Sequence, residues 1–363
     1  MIIFFAAVGL QIVYFLFFLI AFSGGRNSAE KKAADPVSVI VCAHDEEQNL
    51  RALIPLLTSQ DYPEYEVIVI DDRSNDDTWA LLRQETQKYP RLRIVSIDKT
   101  PEKFNAKKYG LTLGIKAAKY DKLIFTDADC RPAGDRWISR MMACFDEKTE
   151  VVLGYSPYYK RKGLVNHFIR FESLITAIQY ISYALLKIPY MGVGRNLAYS
   201  KALFINNKGF HGFLHVTGGD DDLFVNRHAH AKNTKVCMGT DALVFSIPKT
   251  SWGSFFRQKV RHLSVGKLYK PGHRIMLGLF TVSHFVTWFS AFPLLFLFEP
   301  YYLIATPLAF RFLLVTAVIY TAGKKLGDKF NLWSVLFLDF LYSIYYISTG
   351  LAALTTKKVQ WRS

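Results

Sequence analysis

Hydrophobic and polar positions divide the 363-residue chain into three zones. Residues Met1–Phe22 carry no charge, and three further apolar stretches, roughly Ile275–Phe298, Tyr301–Tyr320 and Phe330–Leu354, lie at the other end. Each is long enough to cross about 30 Å of hydrocarbon as a helix. The first lacks a basic n-region and its apolar run exceeds that of a cleaved leader, so a retained anchor is expected rather than a signal peptide. Between these ends, short β-branched runs alternate with helical periodicity. Strands are predicted at Val37–Cys42, Glu66–Ile70, Leu92–Ile97 and Lys122–Phe125, and helices at Glu46–Ser59, Asp76–Lys88 and Asn105–Lys119. That alternation implies parallel β-α-β units. Leu164–Tyr190 repeats Phe168, Phe171, Leu174, Ile175, Ile178 and Ile181 at helical spacing, interrupted by Arg170, Glu172 and Lys187. It reads either as a helix lying in the membrane interface or as a buried helix of the central domain.

Composition adds a constraint on partners. Net charge is +15, which raises nucleic acid as a partner, but four apolar segments and the lack of an aromatic-interleaved basic groove argue against it. The basic residues gather instead beside apolar segments: Arg26, Lys31 and Lys32 after the first, and Arg257, Lys259, Arg261, Lys267, Lys270 and Arg274 before the second. The positive-inside rule then puts the central domain in the cytoplasm, with its basic rim against anionic membrane lipids. Four spans return the tail to the outer side although it carries Lys357, Lys358 and Arg362; either the tail is an exception or one C-terminal segment is re-entrant. Cys42, Cys130, Cys144 and Cys237 show no paired spacing and read as reduced thiols.

Acidic residues mark where the chemistry lies. In parallel sheets ligands bind at the carboxyl ends of strands, and His44, Glu46, Asp71, Asp72, Asp127 and Asp129 all fall there. Gly218-Gly219-Asp220-Asp221-Asp222 adds a second acidic cluster. Such clusters need counter-charge, and a divalent cation with an anionic ligand is the usual one. No strand is followed by a glycine-rich phosphate loop, so neither a dinucleotide fold nor a P-loop is supported. Arg311 and Asp339 fall inside apolar segments, where charges are functional or paired with each other.

Val39-Ile40-Val41-Cys42-Ala43-His44-Asp45-Glu46-Glu47, Val69-Ile70-Asp71-Asp72-Arg73-Ser74 and Thr126-Asp127-Ala128-Asp129 stand in an order that resembles the family 2 inverting glycosyltransferases. The resemblance continues through Gly192-Val193-Gly194-Arg195-Asn196-Leu197-Ala198-Tyr199, Asp220-Asp221 and Gln258-Lys259-Val260-Arg261-His262, spanning about Pro36–Leu268. It implies a GT-A type, Rossmann-like α/β domain with a mostly parallel sheet that binds a nucleotide sugar, with transmembrane helices at both ends. Ala43, His44, Glu46, Asp71, Asp72 and Asp127 then contact the donor, and Asp129 with Asp127 holds Mg²⁺ or Mn²⁺. Lys107 either neutralises the pyrophosphate or is a solvated helix lysine. Asp221 is the expected general base, in register with Asn226-Arg227, with Asp220 and Asp222 beside it. Gln258 and Arg261 would meet an acceptor hydroxyl and the pyrophosphate. His262 stands where membrane-bound members have tryptophan, and the family's tyrosine and asparagine are replaced by His44 and Asp45.

These readings lead to an organisation of anchor (1–24), cytoplasmic glycosyltransferase domain (35–272, with the interfacial helix near 164–190), three spanning or re-entrant helices (274–356) and basic tail (357–363). The expected activity is inverting transfer from a UDP-type nucleotide sugar to a lipid or lipid-linked acceptor at the bacterial inner membrane. A processive, secreting polysaccharide synthase and a non-catalytic membrane scaffold are the alternatives.

Overall fold

The computed structural model describes residues 1–24, 35–102 and 104–355. Arg26, Lys31, Lys32, Lys103 and the tail lysines and arginine lie outside the described residues. The described chain divides into two compact units: one from residues 35–159 and 187–248, the other from 1–24, 160–186 and 249–355.

The first unit is built on a seven-stranded sheet. Its strands are β1 (Val37–Ala43), β2 (Tyr65–Asp72), β3 (Leu92–Ile97), β4 (Lys122–Asp127), β6 (Val151–Leu153), β7 (Leu197–Ser200) and β8 (Thr234–Val236), in the order β3-β2-β1-β4-β7-β6-β8. A separate ribbon pairs β5 (Cys130–Pro132) with β9 (Val244–Ser246). β1 to β4 are mutually parallel, as their near-continuous apolar sequences require when helices cover both faces. β2 is buried at every position. Val39, Val41, Val67, Val69 and Ile124 pack with Leu50, Leu53 and Leu57 of the helix Glu47–Thr58 and with Trp137 and Met141. On another side, Gly110 and Gly114 let the helix Ala106–Ala117 approach β2. A side chain at Gly114 would meet Ile70 at 2.4 Å. That close contact fixes where the helix's first turn, with Lys107 and Lys108, emerges at the sheet edge.

Register then aligns the acids. Ala43 lies opposite Asp71, and Cys42 opposite Asp127, so β1, β2 and β4 end side by side. β7 runs antiparallel to β4 with Leu197 opposite Phe125, which brings the residues just before β7 to the same edge.

The second unit is helical. Four of its helices, Ile2–Gly24, Pro271–Leu297, Tyr302–Leu326 and Leu332–Thr355 (the last with a 3-10 turn at its start), are long and apolar enough to cross a membrane. Arg311 and Asp339 pair with each other, at 2.6 Å, and the network reaches all four helices. Arg311 also donates to Gln11, Trp288 donates to Asp339, and Gln11 donates to Ser283.

Leu164–Leu185 is a single helix of this unit, and most of its length is buried. Arg170 and Glu172, which break its apolar pattern, are paired: Arg170 with Asp328 at 2.7 Å and Glu172 with Lys259. Nearly every side of this helix is buried. Its companions are the long helices, whereas the sequence pattern assigned it to the central domain. The helix Trp252–Val265, carrying Gln258, Arg261 and His262, belongs to the same unit. Grouping by packing therefore ends the sheet unit at Pro248, short of the boundary at 272 drawn from hydropathy.

Candidate active site

At the carboxyl edge of the sheet, Ile40, Cys42, Lys107, Phe125, Thr126, Asp127, Gly194, Leu197, Tyr199, Asp220 and Asp221 line one pocket. Burial pushes the thiol of Cys42 on its wall up to about 12.

Lys107 organises the acids. Its ammonium lies 2.9 Å from Asp220 Oδ2 and 3.3 Å from Asp127 Oδ1. Burial acts to lower its pKa, but Asp127, Asp220 and Asp221 more than offset this and hold it well above the usual lysine value. The solvated alternative for this lysine is thus corrected: three carboxylates surround it.

Asp220 and Asp221 differ in environment although adjacent. Burial pushes Asp220 up, and Lys107 outweighs burial, so its carboxyl stays below the ordinary range. Asp221 is raised, first by burial and then by the neighbouring Asp220 charge. Its Oδ2 accepts the Gly194 N–H at 2.6 Å and its Oδ1 the Asp222 N–H at 2.7 Å. Asp222 turns away and accepts the N–H of Leu223 at the start of the helix Asp222–His228. Of the three acids, Asp220 and Asp221 line the pocket; Asp222 does not.

The turn that delivers these acids is held by a residue the sequence reading passed over. Lys108 is wholly buried. Its Nζ donates to the carbonyls of Phe213 (3.1 Å), Val216 (2.5 Å) and Gly218. Asn105 caps the helix through Lys108 N–H and donates its own N–H to Leu214. Gly218 and Gly219 follow at φ of 82° and 79°, a conformation that favours glycine. Only an asparagine cap before Ala106-Lys107-Lys108 hinted at this arrangement in the sequence. Burial lowers the Lys108 pKa to about 8, against the opposing pull of Asp220 and Asp222.

The β1 and β2 ends form a second cluster. His44 donates Nδ1–H to the Asp72 carbonyl at 2.6 Å, which fixes the ring and its tautomer. Asp45, at φ 54°, accepts the Asn75 N–H at 2.6 Å while its own N–H meets Ser74. It therefore pins the two loops together. Glu46 accepts from Asn49 at 2.6 Å, and Asn49 in turn accepts from Arg131 just beyond Asp129. Asp71 and Asp72 are buried; Asp71 accepts the Ser74 N–H and Asp72 pairs with Arg73 at 2.8 Å. That is more than a polar turn would need.

Asp127 and Asp129 flank the turn after β4, both partly exposed. Among the described residues no group of three or more His, Cys, Asp or Glu could hold an ion. Two hard carboxylates fit a Mg²⁺ or Mn²⁺ whose remaining ligands are phosphate oxygens and water.

The sequence model described as Glycosyl transferase family 2 matches residues 38–206. That stretch of the chain is similar to the family 2 glycosyltransferases. The chain is 34% identical over 106 residues to the glycosyltransferase AglE of Haloferax volcanii, covering 29% of this chain and 33% of that protein. It is 30% identical over 132 residues to WfaP of Escherichia coli, the UDP-Glc:alpha-D-GlcNAc-diphosphoundecaprenol beta-1,3-glucosyltransferase, covering 36% of this chain and 48% of the relative. The chain thus spans about a third to a half of the length of these curated relatives. Among solved structures, the mannosyltransferase PcManGT from Pyrobaculum calidifontis, in complex with GDP-Man and Mn2+, superposes with a TM-score of 0.64 at 16% identity, covering 98% of both chains. That likeness shows the GT-A fold. Gln258, Arg261 and His262 of this glycosyltransferase lie on one helix of the helical unit, and the structure gathers the remaining expected residues except Asp222 along the carboxyl edge of the sheet.

Proposed function

We propose that this glycosyltransferase transfers a sugar, with inversion, from a nucleoside diphosphate donor to a lipid or lipid-linked acceptor. The carrying observation is the unequal pair Asp220-Asp221: one acid neutralised by Lys107, the other raised in pKa and aimed by the Gly194 N–H. A raised carboxylate suits a general base. Asp221 takes the acceptor's hydroxyl proton as the acceptor oxygen bonds to the anomeric carbon. The anomeric carbon–phosphate oxygen bond breaks, and its electron pair leaves with the nucleoside diphosphate. Attack from the face opposite the leaving group inverts the centre. Ala43, His44, Glu46, Asp71 and Asp72 are assigned to the nucleoside, in keeping with acceptor-only carboxylates beside ribose hydroxyls and base N–H groups. Asp127 and Asp129 would hold Mg²⁺ or Mn²⁺, which supplies Lewis-acid neutralisation of the departing diphosphate. Lys107 sets the spacing of the acids around that site and contributes positive charge to it.

The lipid acceptor is supported by WfaP, whose name gives a diphosphoundecaprenol acceptor and a UDP-linked donor, and by the four helices able to span a membrane. The sheet unit faces the cytoplasm in this reading, at the inner membrane of a bacterium, because the basic residues 257–274 adjoin the second apolar helix. Gln258 and Arg261 serve the acceptor and the pyrophosphate. His262 offers no indole platform, which favours one or a few sugars per acceptor over a long polymer.

A panel of UDP- and GDP-sugars, scored for diphosphate release with extracted bacterial lipids and Mn²⁺, tests the assignment. Release that requires lipid and yields a short glycolipid supports it. Polymer would replace it with the synthase, and no release from any donor with the scaffold.

A further inference from the structure

The loop that brings Gly194 to Asp221 also carries a cation with no task in the reaction above. Because β7 is antiparallel to β4, Arg195 lies at the edge where β4 ends in Asp127. Leu153 of β6 pairs with Leu197 of β7, so the chain after β6 leaves the sheet at that same edge. There the Arg195 guanidinium sits over the Tyr158 ring, 4.4 Å from its centroid. Tyr158 bridges to Ser246, and Ser246 pairs with Cys130, the residue after Asp129. The charges of Asp127 and Asp129 both act on the guanidinium.

Both neighbours of Arg195 are locked. The Gly194 N–H is bound to Asp221. Asn196, wholly buried, donates to the carbonyls of Tyr155 and Ala242 at 2.8 Å each and accepts from the Trp137 indole at 3.1 Å. A guanidinium held this firmly has little freedom left to lose on binding. Yet its Nη1 is buried with no hydrogen-bond partner among the described residues. Buried donors are nearly always satisfied, and one left open beside a substrate pocket points to a ligand that completes it. Lys107, in contrast, is committed to the carboxylates.

We propose that Arg195 binds the sugar-linked phosphate of the donor, donating from Nη1 to a phosphate oxygen. This deepens the donor reading given above and rests on it. The planar, permanently charged fork matches a phosphate better than a lysine would. The arginine keeps its proton throughout. Its contribution is to the charge that the diphosphate gains when the anomeric bond breaks, and the position next to Gly194 sets it at the reacting end of the donor.

Titration calorimetry of the full chain in detergent, with Mn²⁺ and with UDP, GDP, UMP and GMP, tests this. Wild type should bind one diphosphate. Arg195→Met should weaken that diphosphate by about tenfold to a hundredfold, the range of a charged hydrogen bond, while changing the matching monophosphate by less than about threefold. Arg195→Lys should fall between. Unchanged diphosphate affinity in Arg195→Met overturns the assignment. Equal losses for mono- and diphosphate also overturn it, since they mean a structural role. If wild type binds neither diphosphate, the donor reading itself fails, and that failure is distinguishable because it precedes any substitution.

Discussion

Lys107 and Asp220 form a buried ion pair of 2.9 Å, and the same ammonium reaches Asp127 at 3.3 Å. One lysine thereby joins two acidic motifs that are far apart in the sequence. Lys107→Met should leave the acids without compensation, costing about 3 kcal/mol of stability and most of the turnover. Chemical denaturation checks the first part. Adding Asp220→Asn should recover part of the stability but not the activity, whereas additive losses would show that the pair is not coupled.

Asp221→Asn is expected to keep donor affinity and lose turnover by about a hundredfold or more, the scale of a general base. Asp222→Asn should stay active, because the Asp222 carboxylate is engaged with Leu223 N–H. A dead Asp222→Asn beside an active Asp221→Asn would reverse the assignment.

Much of this site could be read before any coordinates. The parallel strands were legible because burial on both faces keeps β1, β2 and β4 mostly apolar, and the acids stood at their ends. β5 to β9 were not, since runs of three or four residues carry too little periodicity. The state of Lys107 was also illegible: among several lysines on one helix, only its tertiary meeting with Asp127 and Asp220 singles it out. Likewise Arg170 and Glu172 interrupted the apolar pattern of their helix and left a membrane-interface and a buried reading open. Their partners Asp328 and Lys259 lie too far along the chain for any local pattern to show the pairing.

Lys108 gives a pH signature. Below about pH 8 its ammonium holds the carbonyls of Phe213, Val216 and Gly218; above that value the charge is lost and the turn before Asp220 loosens. Asp220, Asp221, Asp222 and Lys107 are the charges that face it. Turnover should therefore decline above about pH 8. Stability moves the other way. The folded pKa lies below the unfolded one, so between about 8 and 10.5 the unfolded chain binds the extra proton, and this group's contribution to stability rises with pH across that window. Lys108→Met should be slow at every pH and lack the alkaline decline. An unaltered decline in that variant would assign it to another group.

Activity should require Mg²⁺ or Mn²⁺. Asp129→Asn should raise the metal concentration needed for half-maximal activity by about tenfold or more, because a neutral amide is a poorer ligand for a hard cation. Full turnover in excess chelator would remove the metal from the account.

The central claim is inverting transfer to lipid, with Asp221 as the base. The most direct measurement is the anomeric configuration, by NMR, of the glycolipid made from an α-linked nucleotide sugar by wild type, with Asp221→Asn as the control. The account predicts a β-linked sugar on the lipid and no product above background from the variant. An α-linked product, or equal product from Asp221→Asn, would contradict it.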